Sequence, residues 1–155
     1  QTILSGVTRF NLSEQLRNCV LLLERKWTEK SLELDLEFDE YLIEGNEDLL
    51  RQVWMNLLGN AVKFTPPGGT VRVAVQDCGD ALAVSISNTG SSIPSDKLET
   101  IFRKFYQADE SHAAEGNGLG LPIVRSVVRL HGGDVRAESA DDYTTFTVRL
   151  PKSLS

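Results

Sequence analysis

The sequence predicts an α+β fold: a two-layer α/β sandwich in which helices segregate against a sheet. Three observations point there. Long segments repeat apolar residues at helical spacing, shorter ones alternate apolar with polar residues, and several alternating segments follow one another as hairpins. At 155 residues the chain fits one domain with a real core. We take it as a single unit over 1–155, with the core between about 10 and 151.

Residues 11–30 read as a helix, capped by Asn11 or Ser13, with Leu12, Leu16, Cys19, Val20 and Leu23 along one side. Leu32, Leu34, Leu36 and Phe38 then alternate with acidic residues, the period of a strand with one buried face. A second helix runs from about Asn46 to Phe64, its apolar side formed by Leu49, Leu50, Val53, Trp54, Leu57, Leu58 and Ala61. Thr65-Pro66-Pro67-Gly68-Gly69 ends it and turns the chain. Val71, Val73 and Val75 form a strand, Leu82, Val84 and Ile86 another, with Asp77–Asp80 as the hairpin between them. Ser95–Phe105 reads as a helix entered after Pro94, and the polar stretch Tyr106–Gly118 as a mobile loop. Leu119–His131 is helical and stopped by Gly132-Gly133. Val135–Ser139 and Thr144–Leu150 close the domain as strands joined by Ala140-Asp141-Asp142.

Composition narrows the function classes. With 41% hydrophobic and 25% charged residues the chain is globular rather than disordered. A net charge of -6 argues against nucleic acid or an anionic membrane surface as a general partner. The longest apolar run, Val20–Leu23, is far too short to cross a bilayer, and no signal-peptide pattern is present. Cys19 and Cys78 lack metal-ligand spacing and read as buried, reduced thiols of the cytosolic kind. The expected location is the cytoplasm, compatible with a membrane anchor elsewhere in a larger parent.

The most informative segment is Arg51–Phe64. Gln52, Asn56, Asn60 and Lys63 share one stripe of its helix, because positions three and four apart lie on one face. Asparagine is a poor helix former, and Gly59 costs roughly 1 kcal/mol relative to alanine. Two readings stand side by side: a solvated polar face, or neutral oxygens and one cation suited to a magnesium–phosphate group. Gly116-Asn117-Gly118-Leu119-Gly120-Leu121 precedes a helix, where glycines admit a phosphate to the first amides, or serve only as a hinge. It is neither a P-loop nor a dinucleotide fingerprint. Ile86-Ser87-Asn88-Thr89-Gly90-Ser91-Ser92-Ile93-Pro94 is a strand-to-helix turn that offers Asn88 as an acceptor for an adenine amine and Ile93 as a cover for its ring.

In this order the segments resemble the ATP-binding domain of sensor histidine kinases, of the GHKL superfamily shared with type II topoisomerase, heat-shock chaperone and mismatch-repair ATPases. Asn56-Leu57-Leu58-Gly59-Asn60-Ala61-Val62-Lys63-Phe64-Thr65 resembles the N box, Ile101-Phe102-Arg103-Lys104-Phe105-Tyr106 the F box, and Gly118-Leu119-Gly120-Leu121 the G2 box. Leu130-His131-Gly132-Gly133 and Thr144-Thr145-Phe146-Thr147-Val148 resemble the closing segments. The resemblance implies a Bergerat-type fold, a mixed sheet of about five strands backed by three main helices. It also implies ATP and Mg²⁺ as cofactors. Asn60 would be the metal ligand, with Asn56 beside it near the phosphates and Lys63 on phosphate oxygens. Asn88, Gly90 and Ile93 would form the adenine end, and Tyr106 would lie at the lid entrance. Gly118, Leu119, Gly120 and Leu121 would close over the triphosphate, with Phe102 and Phe105 rooting the lid. Thr145 is carried over with the closing strand as a further ATP-binding residue.

One departure stands out. The family's G1 box reads Asp-x-Gly-x-Gly, where this chain has Asn88-Thr89-Gly90-Ser91-Ser92. Asn88 keeps an acceptor oxygen but gives up a charge-assisted hydrogen bond, typically about twice as strong as a neutral one. Neither His112 nor His131 sits in a phosphoacceptor context. The implied function is therefore to donate the ATP γ-phosphoryl group to a histidine of a separate dimerisation domain and, through it, to serve a response regulator. A degenerate, protein-binding module and an anti-sigma-type serine/threonine kinase are the alternatives.

Overall fold

The computed structural model describes residues 4–90, 120–140 and 142–154. In chain order the described elements are β1 (Val7–Asn11), α1 (Leu12–Leu22), α2 (Glu24–Glu29), β2 (Glu33–Glu37), β3 (Leu42–Asn46), α3 (Glu47–Phe64), β4 (Thr70–Asp77), β5 (Ala81–Thr89), α4 (Gly120–Leu130), β6 (Asp134–Ala140) and β7 (Tyr143–Pro151). The main sheet has five strands in the order β2-β4-β5-β7-β6. It is mixed: β2 runs parallel to β4, and the other pairs are antiparallel. β1 and β3 form a separate antiparallel ribbon in which Phe10 faces Ile43.

One face of the sheet is covered. Val71, Val73, Leu82, Val84, Ile86, Phe146, Val148 and Leu150 alternate along three adjacent strands and are buried in the core with Leu12 and Leu16 of α1, Leu50, Val53, Trp54, Leu57 and Leu58 of α3, and Val124 and Val128 of α4. The period of two in the strands and of 3.6 in the helices thus converge on one core.

α3 starts where the sequence places it. Asn46 is its N-cap, accepting from the Leu49 amide at 3.0 Å, with Glu47 and Asp48 in the first turn. At the other end Lys30 Nζ donates to the Val62 and Lys63 carbonyls at 2.7 and 2.9 Å, satisfying groups a helix end leaves open. The β4–β5 turn uses Gly79 at φ +91°, its amide held by the Asp77 carboxylate at 2.9 Å.

Three expectations are corrected. The helix expected over 11–30 is two, broken at Leu23, because the Val20 carbonyl is taken by the Leu23 amide and by the Trp27 indole at 2.9 Å. β2 lies at the sheet edge, so Leu36 on its inward side remains exposed rather than buried. Cys19 is buried, but Cys78, in the β4–β5 turn, is only partly so; both are free thiols. Burial in apolar surroundings pushes the Cys19 thiol up to about 11.

Candidate nucleotide site

The second half of α3 presents the polar stripe. Asn56 and Asn60 are half-buried and Lys63 is exposed. All three line one wall of an open cleft of about 420 Å³, together with Gly59. Lys26, Glu29 and Lys30 also line it, so the cleft is bounded by three lysines and one carboxylate. That balance favours an anionic occupant over a cationic one. Lys30 is committed to the α3 carbonyls, and desolvation lowers its pKa. Lys63 Nζ lies 6.0 Å from the centroid of the Phe64 ring, within cation–π range.

Asn56 is oriented by its own helix. Its Nδ2 donates to the Gln52 carbonyl at 2.8 Å, which turns Oδ1 outward. Against that oxygen sits Gly120, the first residue of α4. A Cβ built on Gly120 would meet Asn56 Oδ1 at 2.5 Å and Cγ at 3.0 Å. Only glycine fits there without moving Asn56, so two segments 64 positions apart in sequence are brought into direct contact. Leu121, next along, is buried in the core; what it adds to the site is backbone.

Asn88 stands near the end of β5. It is 4% exposed, with Nδ2 directed at the Thr89 carbonyl at 3.4 Å. Its antiparallel partner is Thr144, buried on the same face, while Thr145 pairs with Ser87. Thr145 therefore points to the opposite side of the sheet, where its hydroxyl lies 3.0 Å from Ser87 Oγ. The structure does not bring Thr145 together with the other candidates; its neighbour Thr144 takes the place beside Asn88. Strand alternation carries that signal once Asn88 is taken as an inward residue. Gly90 follows at φ +79°, its amide bonded to the Asp142 carbonyl, and a Cβ there would meet the Pro66 ring at 2.6 Å. The turn after α3 and the turn after β5 are thus packed together.

Of the remaining candidates, Ile93, Tyr106, Gly118 and Leu119 lie outside the described residues, as do Phe102, Phe105 and His112. His131 is buried at the end of α4. Lys26 and Lys30 were not singled out by spacing, because they come from a different element. Among the described residues no group of three or more His, Cys, Asp or Glu that could hold a metal ion is present. Among them, too, no helix is long and apolar enough to cross a membrane.

Comparison with known proteins agrees with this architecture. Residues 45–154 match the family described as histidine kinase-, DNA gyrase B-, and HSP90-like ATPase. The sensor protein VanS of Enterococcus faecium is 39% identical over 115 residues, covering 73% of this chain and 30% of that protein. The nucleotide-free catalytic domain of histidine kinase ThkA superposes with a TM-score of 0.89 at 29% identity, over 97% of this chain and 98% of that one. ThkA in complex with response regulator protein TrrA gives a TM-score of 0.84 at 28% identity, over 96% of this chain and 42% of the kinase. The chain spans about a third of the length of the curated relatives it matches. With the fold, the N-box and G2 contacts and the family match in agreement, the chain belongs to the histidine kinase-, DNA gyrase B- and HSP90-like ATPases, as a GHKL ATP-binding domain of the sensor histidine kinase type.

Proposed function

We propose that this chain is a single catalytic domain that binds Mg-ATP and donates its γ-phosphoryl group to a histidine on a separate dimerisation domain. The observation that carries the reading is the seating of Gly120 on Asn56, a residue that lines one cleft with Asn60 and Lys63. Phosphoryl transfer asks chiefly for positioning and charge neutralisation, and this cleft offers both. Asn60 would hold Mg²⁺ through its amide oxygen, a donor suited to a hard cation. When bound, the ion would spread the charge of the phosphate oxygens. Lys63 adds a cation, and the amides at Gly120 and Leu121 open a helix N-terminus toward the anion. Asn88 would accept from the adenine amine at the buried end, flanked by Gly90 and Ile93, with Tyr106, Gly118 and Leu119 closing over the nucleotide.

The acceptor imidazole would come from outside this domain. Both ring nitrogens of His131 are engaged, and the residue is 1% exposed. Partnering with a dimerisation domain and, through it, a response regulator follows from the kinase reading, as does a cytoplasmic location. The acidic chain gives no reason to invoke nucleic acid or direct membrane contact.

Calorimetric titration with ATP and Mg²⁺, for the wild type and for Asn60→Ala, tests the site. Saturable, Mg²⁺-dependent binding that collapses in the variant is the expected result. Absence of binding at millimolar ATP would mean that the Asn88 turn has lost its ligand and that the chain is a protein-binding module. Acid-labile phosphate on an added acceptor domain would then separate histidine transfer from a serine/threonine kinase, whose product is acid-stable.

A further inference from the structure

α4 runs back along α3. Its first residue packs on Asn56 in the middle of α3, and its last turn reaches the residue that begins α3. The connection at this second end is one imidazole ring. His131 Nε2 lies 3.0 Å from the Asn46 amide nitrogen, which can only donate, so Nε2 is the acceptor and the proton sits on Nδ1. Nδ1–H in turn donates to the Val127 carbonyl at 2.8 Å, within the last turn of α4. Asn46 is the N-cap of α3, and its own Nδ2 donates to the Ser5 carbonyl at 2.9 Å. The ring also excludes a side chain at position 45: a Cβ on Gly45 would lie 3.0 Å from His131 Cδ2 and 2.8 Å from Leu50 Cδ1.

We propose that His131 is a positioning residue for the nucleotide site, the joint between the end of α4 and the N-cap of α3 that fixes the register in which Gly120 meets Asn56. The inference rests on the nucleotide reading above. An 11-residue helix is a stiff rod of about 16 Å. Holding one end against the start of α3 therefore holds the other against its middle. The link is directional and specific: an apolar ring of the same size would fill the space but leave the Asn46 amide without its acceptor.

His131→Phe keeps an aromatic ring, somewhat larger, and removes both polar atoms, while His131→Gln restores an acceptor for the Asn46 amide without adding bulk. Val75→Ala on β4, a buried strand residue outside both helices, serves as a destabilised control. Mg-ATP affinity is measured by calorimetry at a temperature where all four proteins are folded. Amide hydrogen exchange at 56–60 and 120–124 is followed without nucleotide. The expected result is a loss of affinity of about tenfold in His131→Phe, faster exchange in both segments, recovery in His131→Gln, and neither effect in Val75→Ala. Wild-type affinity and exchange in His131→Phe, or equal losses in the control, would overturn the proposal. Should the wild type itself fail to bind Mg-ATP, the functional reading fails, and the exchange comparison alone decides the role of His131.

Discussion

The two halves of α3 are built from the same helix and obey different rules. In the first, Glu47–Trp54, every signal favours stability. It has an asparagine N-cap, two acidic residues in the first turn, and Leu50, Val53 and Trp54 at most 1% exposed. Trp54 Nε1 donates to Gln15 Oε1 at 2.7 Å, and Gln15 Nε2 donates to the Glu47 carbonyl, so α1 and α3 are pinned by a fully satisfied buried pair. In the second half, Asn56, Gly59 and Asn60 are residues a helix would not choose, and they face a cleft. Its last carbonyls are satisfied by a lysine from another element. One end of the helix supplies the stability that lets the other end carry chemistry.

The largest expected effect breaks the first half. Trp54→Ala removes a fully buried ring and strands Gln15, and should lower unfolding free energy by about 3–5 kcal/mol in a denaturant titration. A loss under about 1 kcal/mol would mean that the first half is not the anchor described. Gly120→Ala attacks the second half from outside. The added methyl must displace the Asn56 side chain, whose free end can swing away at little cost in stability, and Mg-ATP affinity should fall more than a stability-matched core variant would explain. An unaltered affinity would detach the Asn56–Gly120 contact from the site.

Gly59→Ala sharpens the contrast in the other direction. Nothing lies within 4 Å of the added Cβ, so thermal unfolding should show a gain of about 0.5–1 kcal/mol; no gain would mean that the second half is not held below its helical optimum. The smallest effect concerns α1, on which the first half leans. Arg17 and Asn11 hold the Glu40 carboxylate, and chiefly the Arg17 hydrogen bond lowers its pKa to about 2. A depressed carboxylate contributes stability above its unfolded pKa of roughly 4.5, lost as pH falls through the folded value. Between those limits the unfolded chain binds more protons, so stability should decline with acid. The decline should be shallower in Arg17→Ala, and small throughout because the pair is exposed.

Much of this contrast was legible in sequence. The stripe of Gln52, Asn56, Asn60 and Lys63 violates helix propensity without a packing reason, and the cap at Asn46 follows from residue type alone. Five strands were visible because each alternates over a half-buried face. The β1–β3 ribbon was not: each strand buries little beyond one apolar side chain, Phe10 or Ile43, and Gly45 dilutes the second strand for the sake of the His131 ring. The helix break at Leu23 depends on the Trp27 indole capturing a backbone carbonyl, which periodicity cannot register. Thr145 lies across the sheet from Asn88, which residue type does not report, because a one-residue step in a strand changes the face. The seating of Gly120 on Asn56 is a contact across 64 positions, and no local pattern reports it.

The position of β7 bears on how such a chain comes off the ribosome. β7 is last in chain order yet inserts between β5 and β6, and residues beyond it reach back to the ribbon, with Lys152 accepting from the Glu44 amide and Leu154 donating to the Glu44 carboxylate. Until that strand has emerged, β5 has only β4 beside it, and its other edge is open. From the emergence of β5 until that of β7, the sheet is therefore half built and its central strand keeps one open edge. Because closure waits on pairings of long sequence separation, the sheet should complete in one late step, once β7 is available, rather than progressively.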